Sequence, residues 1–295
     1  IESLAGIING TTNFILSEMR DRGTSFADTL AKAQKLGYAE ADPTFDIEGV
    51  DAAHKLTLLA AIAFGIPVQF DRCHIEGING LDSLDIKYAE QLGYRIKLIA
   101  VARRREANAA RPDIVPGVEL RVHPTLVATR ELIANVEGPM NAVWVRGDAV
   151  GGTLYYGAGA GAEATASAVI ADLIDVARTM TADPEHRVPH LAFQAEALDA
   201  TPILPMSESE TAYYLRLRVA DEPGVLADVT RILANERISL DAVLQREPDP
   251  DEVQTDVILL THNTLEKRLD QAQAKIQALG TVLAPVVRIR LETLT

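Results

Sequence analysis

The sequence predicts an α+β protein, a mixed-sheet substrate and dimerisation domain followed by a smaller ferredoxin-like βαββαβ unit. Three observations predict it. Helical patterns dominate the first hundred residues, short β-branched or alternating runs follow, and a strand and helix order of βαββαβ closes the chain. A length of 295 residues exceeds what one compact core usually covers, which agrees with two units.

The elements follow in order. "GIINGTTNFIL" places Gly10, Thr11, Thr12 and Asn13 between apolar runs and reads as a helix start capped by Thr or Asn. In "TSFADTLAKAQKLG", Ser25 and Asp28 have capping-box spacing, Phe26, Leu30, Ala33 and Leu36 form a helical stripe, and Gly37 is a stop. "DAAHKLTLLAAIAFGIP" is a second helix, nearly all apolar after Lys55 and so expected to be buried, ending at Gly65 and Pro67. From Ile96, "RIKLIAVARR", "VELRVHPTLV", "NAVWVRG" and "GGTLYYG" suggest a sheet. "EATASAVIADLIDVARTM" is a third long helix. Pro202, Pro205 and alternating Ser and Glu then break the pattern. The expected boundaries are a first domain over 1–200, a linker over 201–211 and a second domain over 212–295.

Composition excludes several classes. A formal charge of −14 argues against a nucleic-acid partner, which would need a basic face. No apolar run approaches the ~20 residues of a spanning helix, so no membrane partner is expected. The single cysteine, Cys73, forbids an intramolecular disulfide and fits a reducing, cytoplasmic setting. His186 and His190 are four apart, but a proline-broken loop with no accompanying carboxylate or Cys motif makes no metal site.

The chemistry concentrates in "GYAEADPTFDIEGVDAAHK". Glu40, Asp46 and Asp51 are expected to converge on the loop-to-helix corner where Lys55 enters the interior. Asp51 and Lys55, four apart, share a helix face. An isolated pair of this kind is normally a surface ion pair. A cluster of acids around one partly buried lysine can instead hold an ammonium and a hydroxyl and move a proton. The segment "GAGAGAEATASAV" matches G-x-G-x-x-[GA] at Gly157, Gly159 and Ala162. No buried strand follows it, so the complete dinucleotide unit is missing, and a close-packed turn is the better reading. In "ADEPGVLADVTRILANERISL", Asp221, Pro223 and Gly224 form a strand-to-helix turn, a tight turn or a small-ligand site at a helix N-terminus.

These residues resemble a known family. Ala33, Gly37, Asp42, Pro43, Asp46, Gly49, Asp51 and Lys55 fall at the spacing of the homoserine dehydrogenase signature, and "GIINGTTNFIL" and "GAGAGAEATASAV" are similar to its other landmarks, over roughly residues 1–180. The "DEPGVL" turn and the βαββαβ order resemble an ACT domain.

The resemblance implies NADPH- or NADH-dependent reduction of aspartate 4-semialdehyde to homoserine, in threonine, methionine and isoleucine biosynthesis. It places the substrate on Gly10, Thr11, Tyr38, Glu40 and Asp46. Lys55 would supply the proton, Asp51 would orient it, and Gly161 would approach the cofactor. It further implies threonine as effector at Asp221, Pro223 and Gly224, and a homodimer or homotetramer.

The family begins with a nucleotide-binding domain, carrying a second active-site lysine and a sodium site, that these residues do not include. The expectation is therefore half an active site, inactive alone, with the helix from Glu163 to Met180 exposed. The alternative is a non-catalytic, ACT-type amino-acid-binding module.

Overall fold

The computed structural model describes residues 1–180, 189, 192–245 and 253–294. His186 and His190, and most of the polar turn expected at 248–253, lie outside the described residues.

The chain is α+β, built on one mixed sheet. β1 (Ser3–Ile7) is central: it pairs antiparallel with β3 (Tyr94–Arg105) on one side and with β5 (Met140–Gly147) on the other. β6 (Gly151–Ala158) closes that edge, and β4 (Gly117–Ala128) extends the other. β2 (His74–Ile75) is a short parallel partner of β4. β3 and β4 are longer and more buried than runs between turns would suggest, because each is covered on both faces and backbone groups so placed must pair along the ladder.

Helices α1 (Gly10–Arg22), α2 (Phe26–Lys35), α3 (Thr44–Ile47), α4 (Val50–Phe64) and α5 (Ser83–Gln91) belong to the same layer system; α5 was not anticipated from the sequence. Ser25 caps α2 as its spacing predicts: its hydroxyl accepts from the Asp28 N–H at 3.2 Å and donates to the Asp28 carboxylate at 2.7 Å. α1 is capped by Asn9, not by Thr11, Thr12 or Asn13. Asn13 is buried instead and donates to the carbonyls of Val136, Gly138 and Met140. α4 is buried along one face only, since Leu58 and Ile62 are exposed while Leu56, Ala60 and Phe64 enter the core.

α6 (Ala162–Thr179) has no buried residue and exposes Val169, Ile170, Leu173, Ile174 and Val176, the exposure expected of this helix. The Gly-rich segment before it is close-packed at one point: a Cβ on Gly159 would overlap the Asn141 amide. β6 pairs antiparallel with β5, so it is not the opening strand of a parallel dinucleotide unit.

The second unit runs β7 (Glu210–Ala220), α7 (Val225–Asn235), β8 (Leu240–Gln245), β9 (Gln254–Thr261), a two-residue β10 (Thr264–Leu265), α8 (Glu266–Gln277) and β11 (Val287–Glu292). Its spatial order β11-β7-β9-β8, all antiparallel, is ferredoxin-like. α7 and α8 cover one face through Val225, Val229, Leu233, Leu269 and Ile276. The other face is buried in the first unit's core, to which it contributes Tyr214, Ile258, Leu260 and Ile289.

The two sheets are continuous. β11 pairs in parallel with β4, with Arg290, Leu291 and Glu292 opposite Thr125, Leu126 and Val127. The 201–211 segment is packed against β4: Leu204 is buried and its N–H donates to the Val118 carbonyl, while the Val118 N–H donates to the Pro202 carbonyl.

Charge is buried along this seam. Arg121 bonds Glu119 and Glu292, and Arg103 donates to Glu292 at 2.9 Å. Asp85 on α5 accepts from Tyr214 at 2.9 Å and from two nitrogens of Arg216 at 2.6 and 2.9 Å. Each buried ion has several partners, the condition under which buried charge is tolerated. Among the described residues, no helix is long and apolar enough to cross a membrane.

Candidate active site

The site lies where β1 hands over to α1. The extended Ile8–Asn9 step leaves the centre of the sheet and faces the start of α4. Gly49 takes φ 82°, a left-handed conformation open to glycine, and turns α3 into α4. Asp51 and Lys55 then fall one helical turn apart. Lys55 Nζ donates to Asp51 Oδ2 at 2.7 Å and to the Ile8 carbonyl at 3.1 Å.

The Lys55 side chain retains 47% exposure and Asp51 20%, so the lysine is more open than its entry into an apolar helix suggested. A lysine anchored by one carboxylate and one carbonyl keeps a further N–H direction for a ligand.

Asp46, on α3, joins this cluster through Asn9, whose Nδ2 donates to Asp46 Oδ1 at 2.7 Å and to Asp51 Oδ2 at 2.9 Å. The turn after β2 holds α3 in place. Ile78 N–H donates to the Ile47 carbonyl at 2.8 Å, Asn79 donates to Glu48 at 2.8 Å, and a Cβ on Gly77 would overlap the Ile47–Glu48 backbone. Of the three acids expected at this corner, Asp46 and Asp51 meet on Asn9, while Glu40 is exposed on the turn after α2.

Tyr38 packs its ring against Phe14 at 4.6 Å, and its carbonyl accepts from the Thr11 hydroxyl at 2.7 Å, which ties the α2 turn to the start of α1. Gly10 sits against the Pro139 carbonyl, only 2.7 Å from where a Cβ would stand.

Gly161 heads α6 with φ 123°, a conformation favouring glycine, and nothing lies within 4 Å of a Cβ placed there. That open backbone suits close approach of a cofactor, although Glu163 in the first turn of α6 is unfavourable to a phosphate. Asp221, Pro223 and Gly224 are exposed on the β7–α7 turn of the second unit. There Gly224, at φ 100°, precedes α7, and the Asp221 N–H donates to the Val253 carbonyl at 3.0 Å.

Comparison with known proteins decides the family. The homoserine dehydrogenase family profile matches residues 1–174, more than half of the chain. The chain belongs to the homoserine dehydrogenase family. The ACT domain profile matches residues 213–281. The homoserine dehydrogenase of Pseudomonas aeruginosa is 60% identical over 294 residues, covering 100% of this chain and 66% of that protein. That of Neisseria gonorrhoeae is 56% identical, with 100% and 65% covered. A crystal structure of a homoserine dehydrogenase from Thiobacillus denitrificans superposes with a TM-score of 0.92 at 65% identity, covering 100% of this chain and 65% of that one. The S. aureus homoserine dehydrogenase structure at pH 7.5 gives 0.71 at 31% identity, with 99% and 65% covered. The chain therefore spans about two thirds of the homoserine dehydrogenases it matches.

Asn9 and the Ile8 carbonyl are the site groups that sequence reasoning missed. The available signal was position: an Asn directly before Gly10, where the chain leaves an apolar run for a helix, is a preferred N-cap.

Proposed function

We propose that this chain supplies the substrate-binding and regulatory parts of an enzyme that interconverts L-aspartate 4-semialdehyde and L-homoserine. The observation that carries the reading is the Lys55–Asp51–Asn9–Asp46 cluster at the β1–α1 step, in a chain of this family.

The chemistry follows from the groups present. The substrate has an ammonium, a carboxylate and, as semialdehyde, a carbonyl oxygen that becomes a hydroxyl. Asp46 and Glu40 offer acceptors for the ammonium, and Thr11, Tyr38 and the backbone at Gly10 border the same corner. Lys55, held by Asp51 and Ile8, delivers a proton to the oxygen as the carbonyl carbon is reduced. A nicotinamide cofactor, NADP or NAD, supplies the hydride when bound. Gly161 is the backbone of this chain that it would approach. The proton from Lys55 and the hydride together balance the conversion of aldehyde to alcohol.

The second unit is proposed as an amino-acid sensor with threonine as its effector, read at Asp221, Pro223 and Gly224. The assembly is proposed as a homodimer or homotetramer.

The test is homoserine-dependent reduction of NADP or NAD by the full-length protein, with Lys55→Ala and the present 295 residues beside it. Turnover by the full-length protein, lost in both controls, supports the reading. An inactive full-length protein that still binds threonine would favour an amino-acid-binding module.

A further inference from the structure

Asn9 is 5% exposed, and every polar direction it has toward the site is used. Its orientation follows from its partners. The Thr12 N–H can only donate, so the atom facing it at 2.9 Å is Oδ1. The carboxylates of Asp46 and Asp51 accept, so the atom facing them at 2.7 and 2.9 Å is Nδ2. An amide nitrogen has two hydrogens, and two carboxylates take them.

We propose that Asn9 is the positioning residue of this site, setting the separation of Asp46 from the Asp51–Lys55 pair; this rests on the function proposed above. Asp46 lies on a helix of four residues with no buried side chain, which by itself is a poor reference point. Asn9 follows β1, paired on both sides within the sheet, and caps a helix of thirteen residues. The carboxamide transfers that rigidity to two acids 37 and 42 residues away in sequence. The preceding carbonyl, of Ile8, holds the lysine, so two consecutive residues locate all three charged groups.

A neutral amide is also the right chemistry. It screens two neighbouring carboxylates without adding a cation that would compete with Lys55 or with a substrate ammonium.

Two substitutions separate this role from capping. Asn9→Ser and Asn9→Asp both retain a cap acceptor for the Thr12 N–H, since Ser, Asp and Asn are near-equal N-caps. Ser removes the double donor. Asp replaces it with a third carboxylate facing the other two. Each variant is made in the full-length protein, and kcat and KM for homoserine are measured across pH beside thermal melting.

The expected result for Asn9→Ser is a parent-like melt with kcat/KM lowered about 10- to 100-fold, the scale of a small misplacement of reacting groups. For Asn9→Asp the acidic limb of the kcat/KM profile moves to higher pH as well, because three adjacent carboxylates do not all ionise readily.

An active parent whose Asn9→Ser variant keeps its kcat, KM and pH profile overturns the positioning role and leaves the function intact. Loss of activity matched by loss of folded protein in both variants assigns Asn9 to the fold alone and also overturns it. A parent without homoserine turnover overturns the function, and this role with it.

Discussion

Arg290, on the last strand, forks onto both oxygens of Glu76, at 2.7 and 2.9 Å, just after β2. The same guanidinium bonds Glu266 on α8. One side chain therefore fastens the second unit to the turn whose next residues, Gly77 and Ile78, support α3 and Asp46. Arg290→Met should leave Glu266 as a buried charge deprived of a main partner. A loss of about 3–5 kcal/mol is expected, read by denaturant unfolding. A change below 1 kcal/mol, a size typical of surface pairs, would show that this fork is not a structural anchor.

Acid should undo the same seam. Burial opposes ionisation of Glu76, but hydrogen bonds from His74 and Arg290, with the Arg290 charge, hold its carboxyl far below the ordinary 4.5. Burial likewise opposes ionisation of Glu292, and Arg121 and Arg103 overcome it. Glu266 is lowered by Arg290 against burial. These folded values lie below the unfolded one, so the stability they contribute is present above pH 4.5 and is lost as pH falls through the depressed values. Melting temperature should drop steeply below that point, and Glu76→Gln should make the drop shallower. An equal acid slope in the variant would exclude Glu76.

At the alkaline end the slope has the same sign. Lys97 is buried, and desolvation lowers it from 10.5 to about 8 despite the nearby Glu137. Between those values the unfolded chain holds a proton that the folded chain has released, so this group makes stability rise with pH across that window. The neutral amine still donates to the Val136 carbonyl at 2.6 Å. Comparing unfolding of the parent and Lys97→Met from pH 7 to 10 isolates the contribution; the parent should gain relative to the variant as pH rises.

Lys55→Ala should fold normally, because the side chain is half exposed and its ion pair is a surface one. Turnover in the full-length protein should fall about 10²- to 10⁴-fold, the usual worth of a positioned proton donor. Asp51→Asn should lower kcat less, since Asn can still accept from Lys55. Residual activity near the parent's in Lys55→Ala would remove the lysine from the chemistry.

Gly10→Ala probes the contact with Pro139. The new Cβ would stand 2.7 Å from a backbone carbonyl, too close for either to remain in place. The start of α1 should shift, carrying Thr11 and its bond to the Tyr38 carbonyl with it. A KM for homoserine raised at least several-fold, with a modest loss of melting temperature, is the expected outcome.

Much of this was legible in the sequence because it is local. The Ser25 cap, the left-handed Gly37 and the α4 turn that stacks Asp51 on Lys55 all follow from spacings of a few residues. The ferredoxin-like order followed from alternating and helical periods in succession. Asn9 escaped because its function needs Asp46 and Asp51, and no periodicity marks a side chain that bonds two acids far along the chain.

By itself, then, the sequence determined the elements, the α+β class and the turn of helix that pairs a carboxylate with a lysine. Backbone propensity, capping and side-chain period act over a few residues, and each can be read where it stands. The tertiary structure decided that the two sheets become one through β4 and β11, and that the second unit buries both faces. It also decided that Ile8 and Asn9 gather the charged groups of the site. Those outcomes depend on which distant strands pair and which buried charges find partners. Complementarity between surfaces sets that choice, and it exists only once the chain has folded.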